Sequence, residues 1–333
     1  MFYGILKSTI TYIVWPVLIL SLLLTEYPIW FPYALFFCLY VTLPLFDRFK
    51  QPQLSGDLAS LALLLIWLVI IYLSQYKLIS SGTQSELSIT QMIPFVFMTG
   101  LLGGAIGFTV AHELIHKQSR WLRCLGISIL FLYSYPHFLI SHLRIHHVWV
   151  GTTKDPVTAR QGESIYQYIP RCFWGALKAS WRLDRKLMLQ FYTIWLLLLS
   201  SIMFVSGLNG LLFFLTQSLI AIIILEMTQY TQHYGLTREQ DSNGKYESVQ
   251  AKHSWQTNFT STNVLLFNLG LHANHHQESY IAYHQLEHIE GAHDYPYGFV
   301  GLLLLCLYPT KWRKTIDPLL EPAAQSDSMS NVV

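Results

Sequence analysis

The chain has 333 residues, of which 52% are hydrophobic and only 12% charged. Soluble domains carry about a quarter charged residues, so the composition excludes an ordinary soluble protein and indicates a polytopic membrane one. The net charge of +2 gives no reason to expect a nucleic-acid partner, and four scattered cysteines (Cys38, Cys124, Cys172, Cys306) indicate neither a disulfide framework nor a thiolate metal site.

A helical span needs about 20 apolar residues. Apolar runs occur at Ile10 to Leu24, Ile29 to Leu45, Ala59 to Leu73, Gln91 to Val110, Leu187 to Val205 and Leu211 to Leu225. The first passes into the second across Glu26, Tyr27 and Pro28 without a small-residue cleavage site, so no cleavable signal peptide is expected. The last two are joined by Ser206-Gly207-Leu208-Asn209-Gly210, a tight turn. One further run, Leu125 to Ile140, contains Pro136 and His137. Residues from Pro322 onward have the composition of a disordered tail. Residues 1–321 are read as one membrane-embedded domain.

The positive-inside rule orients these spans. With the N-terminus and Lys7 in the cytoplasm, Arg48 and Lys50 fall inside, and of the 21 Lys and Arg residues only Lys77 falls outside. The fourth span then delivers Ala111 to Lys117, AHELIHK, to the cytoplasmic face. Leu125 to Ile140 must not cross, or the histidines after it would lie on the wrong side. A re-entrant or interfacial helix is expected there. The fold expectation is therefore an all-α integral membrane protein of six transmembrane helices, one re-entrant helix and a cytoplasmic histidine-rich region.

Nine histidines lie in dense clusters next to apolar segments: His112 and His116; His142, His146 and His147; His233; and His272, His275 and His276. Spacings of three and four residues place pairs on one helical face, whereas adjacent histidines point about 100° apart and can serve different ions. Neutral imidazole is the commonest metal ligand. Nine exceed the needs of one ion, and two ions at four or five imidazoles each is the simplest count. His137, His253, His284, His288 and His293 are read as ordinary histidines. Three carboxylates are candidate catalytic residues: Glu113 beside His112, Asp155 in TKDP, and Glu226, seven residues before His233. Asp155 and Glu226 are expected to orient imidazole N–H groups.

Two rival readings differ in class. HExxH over His112 to His116, with Glu113 as general base, is a zinc metallopeptidase pattern, but it leaves seven of the nine clustered histidines unexplained. A metal transporter would hold its ligands at mid-membrane, whereas these clusters fall at the cytoplasmic ends of the spans.

The chain resembles the membrane-bound alkane and xylene monooxygenases of the fatty-acid-desaturase-like superfamily. HELIHK fits that family's first histidine box, HLRIHHVWVGTTKDPVTAR its second, QYTQHYGL and NGKYESVQAKHSW its HYG region, and LGLHANHH its third. YPYGFVGLLLLCLYPTKWRKTIDP fits its closing segment. The resemblance runs in order over roughly residues 90 to 318. This chain departs from the family at Ser141 (usually glutamate), Ile145 (usually glycine) and near Gln229 and Gln232 (asparagine and glutamate). It departs again around Gly270 to His276, where the family reads QRHSDHH. All nine clustered histidines are retained.

The resemblance implies a non-haem di-iron oxygenase of the inner membrane, with two Fe held by the nine histidines and the active site on the cytoplasmic side. It implies O₂ as oxidant and an apolar substrate reached through membrane lipid: a medium-chain alkane, alkyl chain or alkylbenzene. Desaturation or oxidative decarboxylation of a fatty acyl chain is the alternative outcome on the same scaffold. The chain has no flavin, nicotinamide or CxxC fingerprint, so electrons are expected from a separate rubredoxin- or ferredoxin-type carrier. Arg171, Lys178, Arg182, Arg185 and Lys186 are the expected landing patch for an acidic carrier.

Overall fold

The computed structural model describes residues 57–81, 89–259, 262–263 and 266–320. The expected spans at 10–24 and 29–45 and the expected tail lie outside the described residues. The described part is almost entirely helical. Helix α1 covers Asp57–Ser81. Helix α2 (Ile89–Leu102) passes through a π turn at Gly103–Gly107 into α3 (Phe108–Ile115). Met92–Ile115 thus forms one apolar run of 24 residues, about 36 Å long and sufficient for a hydrocarbon core of about 30 Å.

Glycines let this run pack closely on two sides. A Cβ at Gly100 or Gly104 would lie 2.6 or 2.5 Å from the Cβ of Ile220 or Ile224. One at Gly103 or Gly107 would lie 2.2 or 2.5 Å from the ring of Tyr133. This small-xxx-small spacing brings helix backbones together where lipid supplies no hydrophobic drive for association.

After Lys117 the chain reverses into α4 (Arg120–Leu132), which packs on α3 through Gly126 against Ala111 and Leu114. At 13 residues, about 20 Å, α4 is too short to cross a bilayer. The chain turns at Ser134 (φ 55°) and returns through α5 (Phe138–Ile140), a π turn at Ser141–His146 and α6 (His147–Trp149). The segment expected to be re-entrant folds back on itself, which carries the second histidine cluster to the first.

Helix α7 (Ile165–Leu183) begins at a capping box of Ser164 and Gln167. Asp184 then caps α8 (Arg185–His233) by accepting from Leu187 N. Within α8 only Gly207 leaves helical geometry (φ 64°, ψ −167°), a conformation open to glycine alone. The chain folds back there. Tyr192 OH reaches His137 Nδ1 at 3.2 Å, and Glu226 accepts from Tyr135 OH at 2.5 Å. Tyr135 and His137 have ring centroids 4.4 Å apart. A straight helix would separate Tyr192 and Glu226 by about 50 Å, so both can meet one turn of chain only if α8 is a hairpin. The expected tight turn is this glycine. Met92–Ile115 and Arg185–His233 are the described runs long and apolar enough to cross a membrane.

The C-terminal part closes over the end of α8. Helix α9 (His272–Gln277) is held beside a short parallel pair, β1 (Trp255–Gln256) and β2 (His293–Asp294). Helices α10 (Phe299–Cys306) and α11 (Pro309–Ile316) follow. Trp312 of α11 is fully buried, with ring centroids 5.2, 5.4 and 6.0 Å from Tyr230, Tyr234 and Tyr295. Trp255 Nε1 donates to Tyr234 O at 2.8 Å. This aromatic block fixes the last turn of α8 and hence the direction of His233.

Candidate metal centre

The nine clustered histidines come together in two adjoining groups. His112, His116, His142, His147 and His275 form one; His146, His233, His272 and His276 form the other, with candidate ligand atoms within 4.8 Å of one another in each. Each group draws on distant segments. α3 contributes His112 and His116, one turn apart. α9 sends His272 and His276 to the four-histidine group, while His275, on another side of the same helix, turns to the five-histidine group. The π turn performs the corresponding split in the second cluster. Its wider ring brings His147 N to His142 O and places the two side chains together, while His146 faces the other group.

The interatomic distances fit a shared cation. In the five-histidine group, His142 Nε2 lies 3.1 Å from His116 Nε2 and 2.9 Å from His147 Nε2, and His147 Nε2 lies 3.2 Å from His275 Nε2. In the other, His276 Nε2 lies 3.2 Å from His146 Nε2 and 3.0 Å from His272 Nε2, which is 3.0 Å from His233 Nε2. Imidazole nitrogens bind a zinc-sized ion at about 2.0–2.1 Å, so two that share it at right angles stand about 3 Å apart.

Protonation states point the same way. Burial, reinforced by repulsion among the imidazoles, holds His142, His147, His272, His275 and His276 well below the ordinary value of 6.5. Burial likewise pushes His116 down to about 4. Neutral imidazoles present lone pairs. Asp155 Oδ2 lies 2.9 Å from His146 Nδ1, so the proton sits on Nδ1 and the Nε2 lone pair is aimed into the group. Asp155 is itself fixed by Val157 N and the Thr158 hydroxyl. Lone pairs converging in such a cage could hold a cation, and imidazole donors suit Zn, Fe, Cu and Ni. The residues present fit a metal in each group.

The other two singled-out carboxylates lie differently. Glu113 is buried, pairs with Lys117 and accepts from Tyr283 N at 3.3 Å. Its carboxylate is thus engaged by Lys117 and the Tyr283 backbone, and among the described residues no hydrogen bond joins it to a clustered histidine. Glu226 does not orient an imidazole as expected. Its oxygens accept from Tyr135 OH at 2.5 Å and Gln229 Nε2 at 3.0 Å. His233 lies seven residues on, about 10 Å along the helix axis, beyond a glutamate's reach. Arg171 also corrects an expectation. Glu163 holds its guanidinium at 2.6 and 2.8 Å, and the carbonyls of Pro156 and Thr158 accept from it at 2.9 and 3.0 Å. It pins a loop and is not a free surface charge. Lys178, Arg182, Arg185 and Lys186 are exposed.

The sequence reading missed a small cavity of about 30 Å³ over both groups, room for about two water-sized groups. His112, His142, His146, His233 and His272 form its floor. Phe108, Phe138, Leu225 and Leu269 supply apolar walls, and Gln229 and Gln232 supply carboxamides. The only sequence signal for the last two was their departure from the family pattern. A larger apolar cavity of about 460 Å³ lies farther along the seam between α2 and the second half of α8, lined by residues including Ile93, Val96, Phe97 and Ile220.

Residues 88–298 match the fatty acid desaturase family. Alkane 1-monooxygenase 2 of Pseudomonas aeruginosa is 35% identical over 238 residues, covering 67% of this chain and 63% of that protein. Alkane 1-monooxygenase 2 of Alcanivorax borkumensis is 28% identical over 326 residues, 89% of this chain and 84% of that protein. The xylene/toluene monooxygenase hydroxylase component XylM of Pseudomonas putida is 28% identical over 227 residues, 63% of this chain and 59% of that protein. The chain spans a little under two thirds of the length of the Pseudomonas aeruginosa relative. With its histidine boxes folded into two ligand groups and its closest-packed helices inside the matched region, the chain belongs to the fatty acid desaturase family, alongside the alkane and xylene monooxygenases.

Proposed function

We propose that the protein is an integral-membrane di-iron monooxygenase that hydroxylates a C–H bond of an apolar substrate, a medium-chain alkane, alkyl chain or alkylbenzene. The observation that carries this reading is the convergence of nine imidazoles into two adjoining groups under one small cavity that touches both. The five-histidine and four-histidine groups would hold one iron each. The bound irons would supply the chemistry for O₂ reduction, in which two electrons from a carrier and two protons from water balance one oxygen atom placed in the substrate and one released as water.

The chain's own residues do the rest. Asp155 keeps His146 oriented with its Nε2 free for metal. Phe108, Phe138, Leu225 and Leu269 exclude water and leave space for the end of an alkyl chain. The larger apolar cavity along the same seam accommodates more of that chain and supports entry from lipid. Electrons come from a separate rubredoxin- or ferredoxin-type carrier on the cytoplasmic face of the inner membrane. Lys178, Arg182, Arg185 and Lys186 offer it a basic surface.

The test combines metal analysis of the purified protein with product analysis under labelled O₂. About two irons per chain and label in an alcohol are expected. An unlabelled alkene would move the reading to desaturation. A single zinc, lost with His112→Ala but indifferent to His276→Ala, would overturn it.

A further inference from the structure

Glu226 is completely buried and touches none of the clustered histidines, yet it sits one helical turn from the cavity above them. Two donors converge on it. Tyr135 OH donates to one oxygen and Gln229 Nε2 to the other. A carboxylate only accepts, so this contact fixes which end of the Gln229 carboxamide faces it. One N–H of the amide is committed to Glu226, and the carbonyl Oε1 lies at the other end of the carboxamide. Gln229 is 6% exposed and lines the cavity. Among the described residues no donor is recorded on its Oε1.

The remaining polar lining repeats this arrangement. The Thr109 hydroxyl donates to Ala105 O at 2.7 Å and the Thr228 hydroxyl to Ile224 O at 2.7 Å, while Gln232 Nε2 points to Leu269 O at 3.4 Å. The Nδ1 atoms of His142, His233 and His272 are sealed. These hydroxyls and amides each direct a donor at a protein acceptor, which leaves their oxygens as acceptors within an apolar wall. A hydrocarbon has nothing to give such an oxygen. An alcohol has an O–H.

We infer that Gln229 is a specificity-determining residue whose Oε1 accepts the hydroxyl of an alcohol lying over the two histidine groups, and that Glu226 is the positioning residue that holds Oε1 in place. This rests on the hydroxylase reading above, in which an alcohol is the product. The site then favours the product alcohol over its parent alkane, and also over aldehydes and ethers of equal length, which lack a donor.

The experiment is binding of radiolabelled 1-octanol, octyl methyl ether and octane to the iron-loaded protein in lipid nanodiscs, without reductant, against empty nanodiscs. The expected preference for 1-octanol over the ether is about 2- to 10-fold, the range of one neutral hydrogen bond. Gln229→Met, of similar length but without the oxygen, abolishes that preference and changes octane binding far less. Glu226→Gln reduces it, because two carboxamides no longer dictate one orientation, and has no further effect on the ratio when added to Gln229→Met. A purely structural role for Glu226 would shift all three ligands together and add to the Gln229 change. If Glu226→Gln fails to fold, Gln229→Met decides alone. A wild-type protein without the preference, or a Gln229→Met protein that keeps it, overturns the inference. Failure of octane to bind or react, with the preference for 1-octanol intact, counts against the hydroxylase reading instead.

Discussion

His142 and His147 are five residues apart, and their Nε2 atoms stand 2.9 Å from each other. An α-helix cannot align such a pair, but the π turn at Ser141–His146 does. The same turn sends His146, the nearer neighbour of His142 by the i,i+4 rule, to the other group. Histidines of one group should therefore fail together. His142→Ala and His147→Ala each remove metal from the five-histidine group, and the double substitution costs little more than either single one. His142→Ala combined with His146→Ala strips both groups. Metal content per chain, followed by chelator competition, separates these outcomes.

Asp155 acts on metal only through His146. Asp155→Asn keeps the shape but replaces a carboxylate acceptor with an amide that can face His146 Nδ1 with either end. Loss of such a partner typically costs 10–100-fold in metal affinity or activity. A loss of about that size is expected for the four-histidine group. Chelator-release kinetics would read it, and unchanged kinetics would remove Asp155 from this role.

The seam between α2 and α8 depends on the absence of side chains at Gly100 and Gly104. A methyl at Gly104 would meet the Ile224 Cβ at 2.5 Å and a backbone carbonyl at 3.0 Å. Overpacking of this kind costs about 1–3 kcal/mol. Gly104→Ala should lower the melting temperature in detergent, and Ile224→Ala, which keeps the clashing Cβ, should recover little of the loss. A Gly104→Ala protein that melts like the wild type would show that the helices can separate freely.

Glu163 provides a pH test away from the metal groups. Burial alone would raise its carboxyl, but hydrogen bonds from the Arg171 guanidinium and the Arg160 backbone N–H, with the charges of both arginines, outweigh it and hold the group below 4.5. A carboxylate with a depressed folded value contributes stability that is complete above its unfolded value. That contribution is lost as pH falls through the folded value. The wild type should lose stability on acidification below about pH 4.5, and Glu163→Gln should lower stability at neutral pH while flattening that part of the profile. Arg171→Lys should resemble Glu163→Gln, because one ammonium cannot reproduce the two-pronged contact.

The exposed Arg182 and Arg185 yield a kinetic prediction. Reversal of both charges to glutamate should slow turnover supported by an acidic carrier and weaken its dependence on salt, since steering by exposed charge is screened. Equal rates at low salt would remove this surface from the encounter.

Much of the site was legible in the sequence because imidazole pairs at three- and four-residue spacing have few other uses. His112 with His116, and His272 with His276, behaved as helical spacing requires. Asp155 was legible from its nearness to the second cluster, and the reversal of the chain after α4 from the need to bring all the histidines together. The division of His142, His146 and His147 was not legible, because a π turn differs from an α turn by one residue and no residue type marks it. Glu226 was misread because a seven-residue spacing reports the face of a helix and ignores the distance along it. Gln229 and Gln232 were visible only as departures from a family pattern, since nothing local tells a sequence that two amides overhang a cavity.

The two groups differ in their access to water. All four members of the smaller group are buried, whereas His116 and His147 of the larger are only half-buried. Ligand exchange at an ion begins when one imidazole swings out and water takes its place, and only the larger group has edges already wet. With an ion in each group, chelators and competing ions would act on the larger group first. A partly stripped preparation would then be a defined species, with its remaining ion in the sealed group, and its recovery would depend on refilling a single site from the water side.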